Sequence, residues 1–217
     1  MRVLARCLLA LSALTMTFAC SAQDAAKYEE GKQYRKVREA IAPADVKRVG
    51  VEEFFWYGCP HCYALDPAIA AWAKAKPADV DFVRVPNTLG RPEGALHAKA
   101  FYTADSLNML DKLHPALFDA IHKHNIPLST EAQIAEVFNR NAGLMPDVFA
   151  GTFNGFAVDS RFRRSEQLSK TYGITSVPVV VVGGKYSTSA QMAGGNEQML
   201  KVVDFLVAKV RKERGGK

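Results

Sequence analysis

The sequence predicts an α/β protein, and three observations carry that prediction. An apolar strand, a helix and a second strand follow one another between residues 49 and 85; a long helical stretch without strands comes next; strand, tight turn, strand and helix then close the chain. The 217 residues, 48% hydrophobic and 23% charged, suit one soluble domain or one domain carrying an insertion, and exclude a disordered or collagen-like chain.

The elements follow in order. Met1 to Ala22 has a basic start (Arg2, Arg6), an apolar run from Cys7 to Leu14 that continues through Met16 and Phe18, and small residues at Ala19 to Ala22. This is the plan of a secretory signal, and Ser12, Thr15 and Thr17 interrupt the run that a membrane-spanning helix would need. Cleavage fits after Ala19 or Ala22. Ala19-Cys20-Ser21 also resembles a bacterial lipoprotein site with Cys20 as the acylated residue, although Thr17 and Phe18 depart from the leucine-rich pattern of such sites. Export places the body where disulfides persist.

Residues 23 to 36 are polar and suit an exposed leading segment. From Val49 to Tyr57 both alternating sets of side chains contain large apolar residues, as in a strand covered on both faces. Leu65, Ile69 and Trp72 then recur at helical spacing until Pro77, and Val80 to Val85 forms the second strand of a parallel crossover. Residues 88 to 173 read as several helices, the last from Phe156 to Tyr172 and ended by Gly173. Val177 to Val182 is a strand, Gly183-Gly184 a turn, and Lys185 to Ser187 the return. The final helix, about Asn196 to Arg211, places Met199, Val203, Leu206 and Val210 on one face.

Charge excludes little. Residues 1 to 22 hold two of the basic side chains and no acid, so the net +6 becomes +4 without them, too diffuse to indicate nucleic acid. Cysteine use is more informative: of four, only Cys59 and Cys62 lie in the body. Cys59-Pro60-His61-Cys62 sits where the buried strand meets a helix, so the Cys59 thiolate gains from the helix N-terminus. Pro60 suits the first helical turn, where its missing N–H costs nothing, and His61 can add a donor or a positive charge. Cys59 is expected to be the exposed attacking thiol and Cys62 the buried partner. Stabilising a thiolate stabilises the reduced form, so the pair is expected to donate disulfides. Zinc would need about four ligands where one cysteine pair exists. A static disulfide across so short a loop would add little stability, and inert thiols are unexpected in an oxidising compartment.

Cys59-Pro60-His61-Cys62 after Glu53-Phe54-Phe55, together with Tyr28-Glu29-Glu30-Gly31-Lys32-Gln33-Tyr34 and with Val177-Pro178 before a Gly-Gly-Lys-Tyr turn, resembles the DsbA family of thiol:disulfide oxidases. The resemblance implies a thioredoxin-like fold over residues 23–86 and 157–217 with an inserted helical domain at 87–156. It implies Cys59 as nucleophile, Cys62 as its partner and His61 as tuner of the oxidising power. Pro178 matches a cis-proline which, with Val177 before it, holds an extended substrate backbone. Glu53 matches a buried acid that passes protons to and from Cys62, Asp66 stands where a glutamate is common, and Arg84 is the nearest candidate for the basic partner. The redox group is the disulfide itself, so neither cofactor nor metal is expected.

The expected function is oxidation of reduced exported polypeptides in the periplasm by a monomer, soluble or anchored through Cys20, with reoxidation by a DsbB-like quinone-linked membrane oxidase. A reductase or isomerase on the same fold, or a non-catalytic peptide- or metal-binding module, are the alternatives. Phe55 and Trp56 read as core residues of the central strand, and Arg161, Arg163 and Arg164 as a solvated basic face.

Overall fold

The computed structural model describes residues 28–215, so the proposed signal and Cys20 lie outside the described residues. Five strands form one sheet in the order β1-β5-β4-β2-β3: β1 Arg35–Lys36, β2 Val49–Phe55, β3 Val80–Pro86, β4 Val179–Val182 and β5 Tyr186–Thr188. Helix α1, Pro60–Ala75, links β2 to β3, which pair in parallel as the crossover requires. Helices α2 Pro92–Ser106, α3 Leu110–His122, α4 Glu131–Ala142, α5 Pro146–Phe153 and α6 Phe156–Tyr172 then separate β3 from β4, which returns antiparallel to β2. Helix α7, Ala190–Ala193, and helix α8, Asn196–Gly215, end the chain.

Both faces of β2 are covered, as its double apolar pattern predicts. Val49 and Val51 pack with Val180 and Val182 against α1 (Leu65, Ile69) and α8 (Val203, Leu206). On the other face Phe54, Val85, Val179 and Val181 meet Tyr172 of α6. A third apolar cluster joins α2 to α5, through Phe101, Phe118, Phe138 and Phe149, to Phe55, Tyr57, Cys59 and Cys62. Thus the helices between β3 and α6 close over one end of the sheet, the end that carries the cysteines.

Two segments differ from the sequence reading. The described part of the polar leading segment is mostly exposed as expected, but its last two residues, Arg35–Lys36, form an edge strand that pairs with β5, and Tyr34 just before them is buried edge-on to Tyr186. Ring burial overrides the charge of its neighbours. The fourth strand begins at Val179 rather than Val177, after the Val177–Pro178 bond, which is cis. Among the described residues no helix is long and apolar enough to cross a membrane.

Candidate active site

Strand β2 ends at Phe55, and Trp56-Tyr57-Gly58 turn the chain into α1. Gly58 is required there: a Cβ would fall 2.3 Å from the Trp56 ring. Cys59 is the N-cap of α1, with extended backbone (φ −91°, ψ 115°), and its sulfur accepts the Cys62 N–H at 3.4 Å. A sulfur in the N-cap position takes the role a Ser or Asp oxygen usually plays, so the helix end favours negative charge on it. Pro60 occupies the first turn, as expected.

Burial separates the thiols less than expected. Cys62 is fully buried, but Cys59 is itself only 7% exposed, while Pro60 and His61 face solvent. The expectation of an exposed Cys59 is therefore corrected: the segment before β4 covers it, and the Cys59 thiol donates to the Val177 carbonyl at 3.6 Å. Both cysteines are free thiols. The Cys59 thiol is lowered to about 6 by the hydrogen bond from the Cys62 thiol, aided by the Cys62 and His61 backbone N–H groups and the His61 charge, against the opposing effect of burial. Burial pushes Cys62 strongly up, reinforced by the neighbouring sulfur and by Glu53.

Polar residues continue beneath the pair. Glu53 is 2% exposed, and the β2–β3 register sets it opposite Arg84, which resolves the basic partner that sequence alone leaves open. Arg84 Nε lies 3.1 Å from Glu53 Oε2, and its terminal nitrogen donates to Asp66 Oδ1 at 2.8 Å. Asp66 also meets His114 Nε2 at 3.1 Å, and His114 Nδ1 lies 2.8 Å from the Tyr57 hydroxyl. Burial raises Glu53 to about 7; the Arg84 charge and its short side-chain contact oppose the rise, and the Asp66 charge adds to it. Asp66 is held below its ordinary value: burial works against this, but the hydrogen bond and charge of His114, followed by the charge and hydrogen bond of Arg84, outweigh it. Burial lowers His114, and Arg84 adds to that against the pull of Asp66.

Residues 50–207 match a family described as the DSBA-like thioredoxin domain. This chain belongs to the DsbA family. The thiol:disulfide interchange protein DsbA of Pseudomonas syringae pv. tomato is 41% identical over 194 residues, which cover 89% of this chain and 90% of that protein. The crystal structure of Pseudomonas aeruginosa DsbA has a TM-score of 0.81 at 36% identity, covering 90% of this chain and 99% of that one. The oxidoreductase DsbA from Xylella fastidiosa has a TM-score of 0.77 at 30% identity, covering 85% and 98%. The protein is a disulfide oxidoreductase with a thioredoxin-like fold.

The DsbA fold gathers the residues singled out in the sequence at one end of its sheet. Cys59, Pro60 and Cys62 come from the start of α1, Glu53 from β2, and Val177, next to Pro178, from the turn before β4. His61 faces solvent and reaches the sulfur through its charge and its backbone N–H. Sequence reasoning missed Tyr57 and His114, whose partners lie 57 and 48 residues away and carry no local signal.

Trp56 also departs from expectation. It lies past the strand end, half-buried over Gly58, stacked on His97 and capped by Arg91 at 5.1 Å. Of the basic cluster on α6, Arg163 and Arg164 are exposed as expected, whereas Arg161, partly exposed, also pairs with Asp105 and lies over the Tyr102 ring, tying α6 to α2. Among the described residues no three His, Cys, Asp or Glu side chains are grouped to hold a metal ion.

Proposed function

We propose that the protein is a disulfide donor for exported polypeptides. The observation that carries this reading is the asymmetry of the pair: Cys59 caps a helix N-terminus and is lowered to about 6, whereas Cys62 is sealed in the core and raised. A stabilised thiolate favours the reduced enzyme, so the disulfide is held as a strong oxidant.

In the oxidised enzyme a client thiolate attacks Cys59 Sγ, and the Cys59–Cys62 bond breaks with its electron pair on Cys62. Buried Cys62 needs a proton at that moment, and Glu53, half-protonated near neutral pH, is the group placed to supply it through water. A second client thiolate then attacks the client sulfur of the mixed disulfide and expels Cys59, a good leaving group because its thiolate is stabilised. The client leaves oxidised and both cysteines are left reduced. The Val177 carbonyl, beside the Cys59 sulfur, is positioned to align an extended client backbone.

The chemistry calls for no cofactor, because the disulfide is the redox group. Reoxidation falls to a quinone-linked membrane oxidase of the DsbB type, and the working form is a periplasmic monomer. The basic start and apolar run of residues 1–22 support export.

The test is transfer to a reduced, unfolded polypeptide that contains two cysteines. Oxidised wild type should oxidise it, and Cys59→Ser should bring transfer to background; mixed with the disulfide-bonded form of the same polypeptide, Cys62→Ser should accumulate a mixed disulfide through Cys59, because its thiolate attacks the client disulfide and no second enzyme thiol resolves the product. Transfer retained in Cys59→Ser would refute the choice of nucleophile. A mixed disulfide that resolves only by reducing the client would reverse the direction.

A further inference from the structure

Beneath Cys62, two buried groups face each other without bonding properly. Glu53 Oε2 and Arg84 Nε lie 3.1 Å apart, yet no protein group hydrogen-bonds to either atom, so the contact is an ion pair without a linear N–H···O bond. Buried polar groups in native proteins are nearly always satisfied, and a misaligned pair therefore implies that another contact fixes one of the two. Arg84 is the one fixed. Its terminal nitrogen donates to Asp66 Oδ1 at 2.8 Å, and the same oxygen meets His114 Nε2 at 3.1 Å. An ionised carboxylate only accepts, so Nε2 carries the ring proton, Nδ1 is left as an acceptor, and the Tyr57 hydroxyl donates to it across 2.8 Å. The chain from Tyr57 to Arg84 is thus satisfied at each link, and the unsatisfied atoms lie at its far end.

His114 belongs to α3, one of the helices between β3 and α6, and is 5% exposed. Phe55, Phe101 and Phe118 pack edge-on around its ring.

We propose that His114 is a positioning residue of the redox centre: through Asp66 it holds the Arg84 guanidinium out of line with Glu53, so that the inserted helices govern how readily Glu53 takes up a proton. The proposal rests on the reading that Glu53 exchanges protons with Cys62. The charged and titratable groups facing Glu53 are Arg84 from β3, Asp66 and Cys62 from α1, and Tyr57 from the turn after β2; β4 presents Val180 opposite it. A neutral imidazole adds no charge to this set and acts by position alone.

The experiment is a carboxyl carbon-13 NMR titration of Glu53 in the reduced protein. In wild type the midpoint should lie at about 7. His114→Leu releases Asp66, whose side chain is 17% exposed and can turn to water; Arg84 then aligns on Glu53, and the midpoint should fall by ~1 pH unit or more. His114→Gln should restore it, because its amide can donate to Asp66 and accept from Tyr57. A midpoint that stays or rises in folded His114→Leu, or that His114→Gln fails to restore, overturns the proposal. If His114→Leu does not fold, Tyr57→Phe decides: it removes only the hydroxyl that fixes the ring, a lower midpoint supports the role, and an unchanged one overturns it. Failure of the disulfide-donor reading would look different, as a low reduction potential with a Glu53 titration that still responds to His114.

Discussion

In its first half β2 buries Val49 and Val51 against Val182, Val203 and Leu206; a few residues on, at equal depth, it buries Glu53 against Arg84, with Asp66, His114 and Tyr57 behind. The first end is close-packed hydrocarbon, where each methyl group adds stability by leaving water. The second end holds charges whose desolvation works against folding unless each is paired. One strand thus carries a hydrophobic anchor and, beside Cys62, a costly polar cluster, and the contrast separates what stabilises the fold from what the proposed proton exchange needs.

Three perturbations sharpen the contrast. At the apolar end, Leu206→Ala should lower the unfolding free energy by ~3–4 kcal/mol in chemical denaturation, while the alkylation rate of Cys59 in the folded protein stays unchanged. A changed thiol reactivity would mean that the two ends are not separable.

At the polar end the expected effect is a pH dependence. The Glu53 pKa is raised from 4.5 to about 7 by burial, so the folded state favours the protonated acid. Its contribution is fully present below about 4.5 and is lost as pH rises through about 7. Wild type should therefore lose ~3 kcal/mol relative to Glu53→Gln between pH 4 and 8. Parallel stability curves for the two proteins would show that Glu53 titrates normally.

The smallest effect is at the surface. His61→Ala removes a charge that favours the Cys59 thiolate, and a loss of about one pKa unit, ~1.4 kcal/mol, should make the pair ~30 mV less oxidising in a redox-buffer titration. An unchanged potential would remove His61 from the tuning of the pair.

How much of this was legible in the sequence follows the range of the forces involved. Strand β2, helix α1 and helix α6 are written in local apolar periodicity and in stop signals such as Gly173, and the structure places them where those signals point. The cysteine pair is legible because its spacing and its setting at a strand–helix junction are local too. Arg84 was a candidate without a register, and only the pairing of β2 with β3 sets it opposite Glu53. The near-burial of Cys59 depends on Val177, 118 residues away, and could not be read from the motif. Helix α1 runs on past Pro67, a residue that signals a break locally but is carried here by packing on both sides, at Leu65 and Ile69. His114 gave no signal: a lone histidine in an amphipathic helix becomes informative only when Asp66 and Tyr57 arrive from other segments.

The central claim is the direction of electron flow, and the equilibrium reduction potential of the Cys59/Cys62 pair in glutathione buffers tests it most directly. This account expects a value well above the roughly −180 to −210 mV poise of an oxidising secretory lumen, as a disulfide donor requires. A value near the roughly −270 mV of a thioredoxin-type reductant would contradict it and assign the protein to cutting or reshuffling disulfides instead.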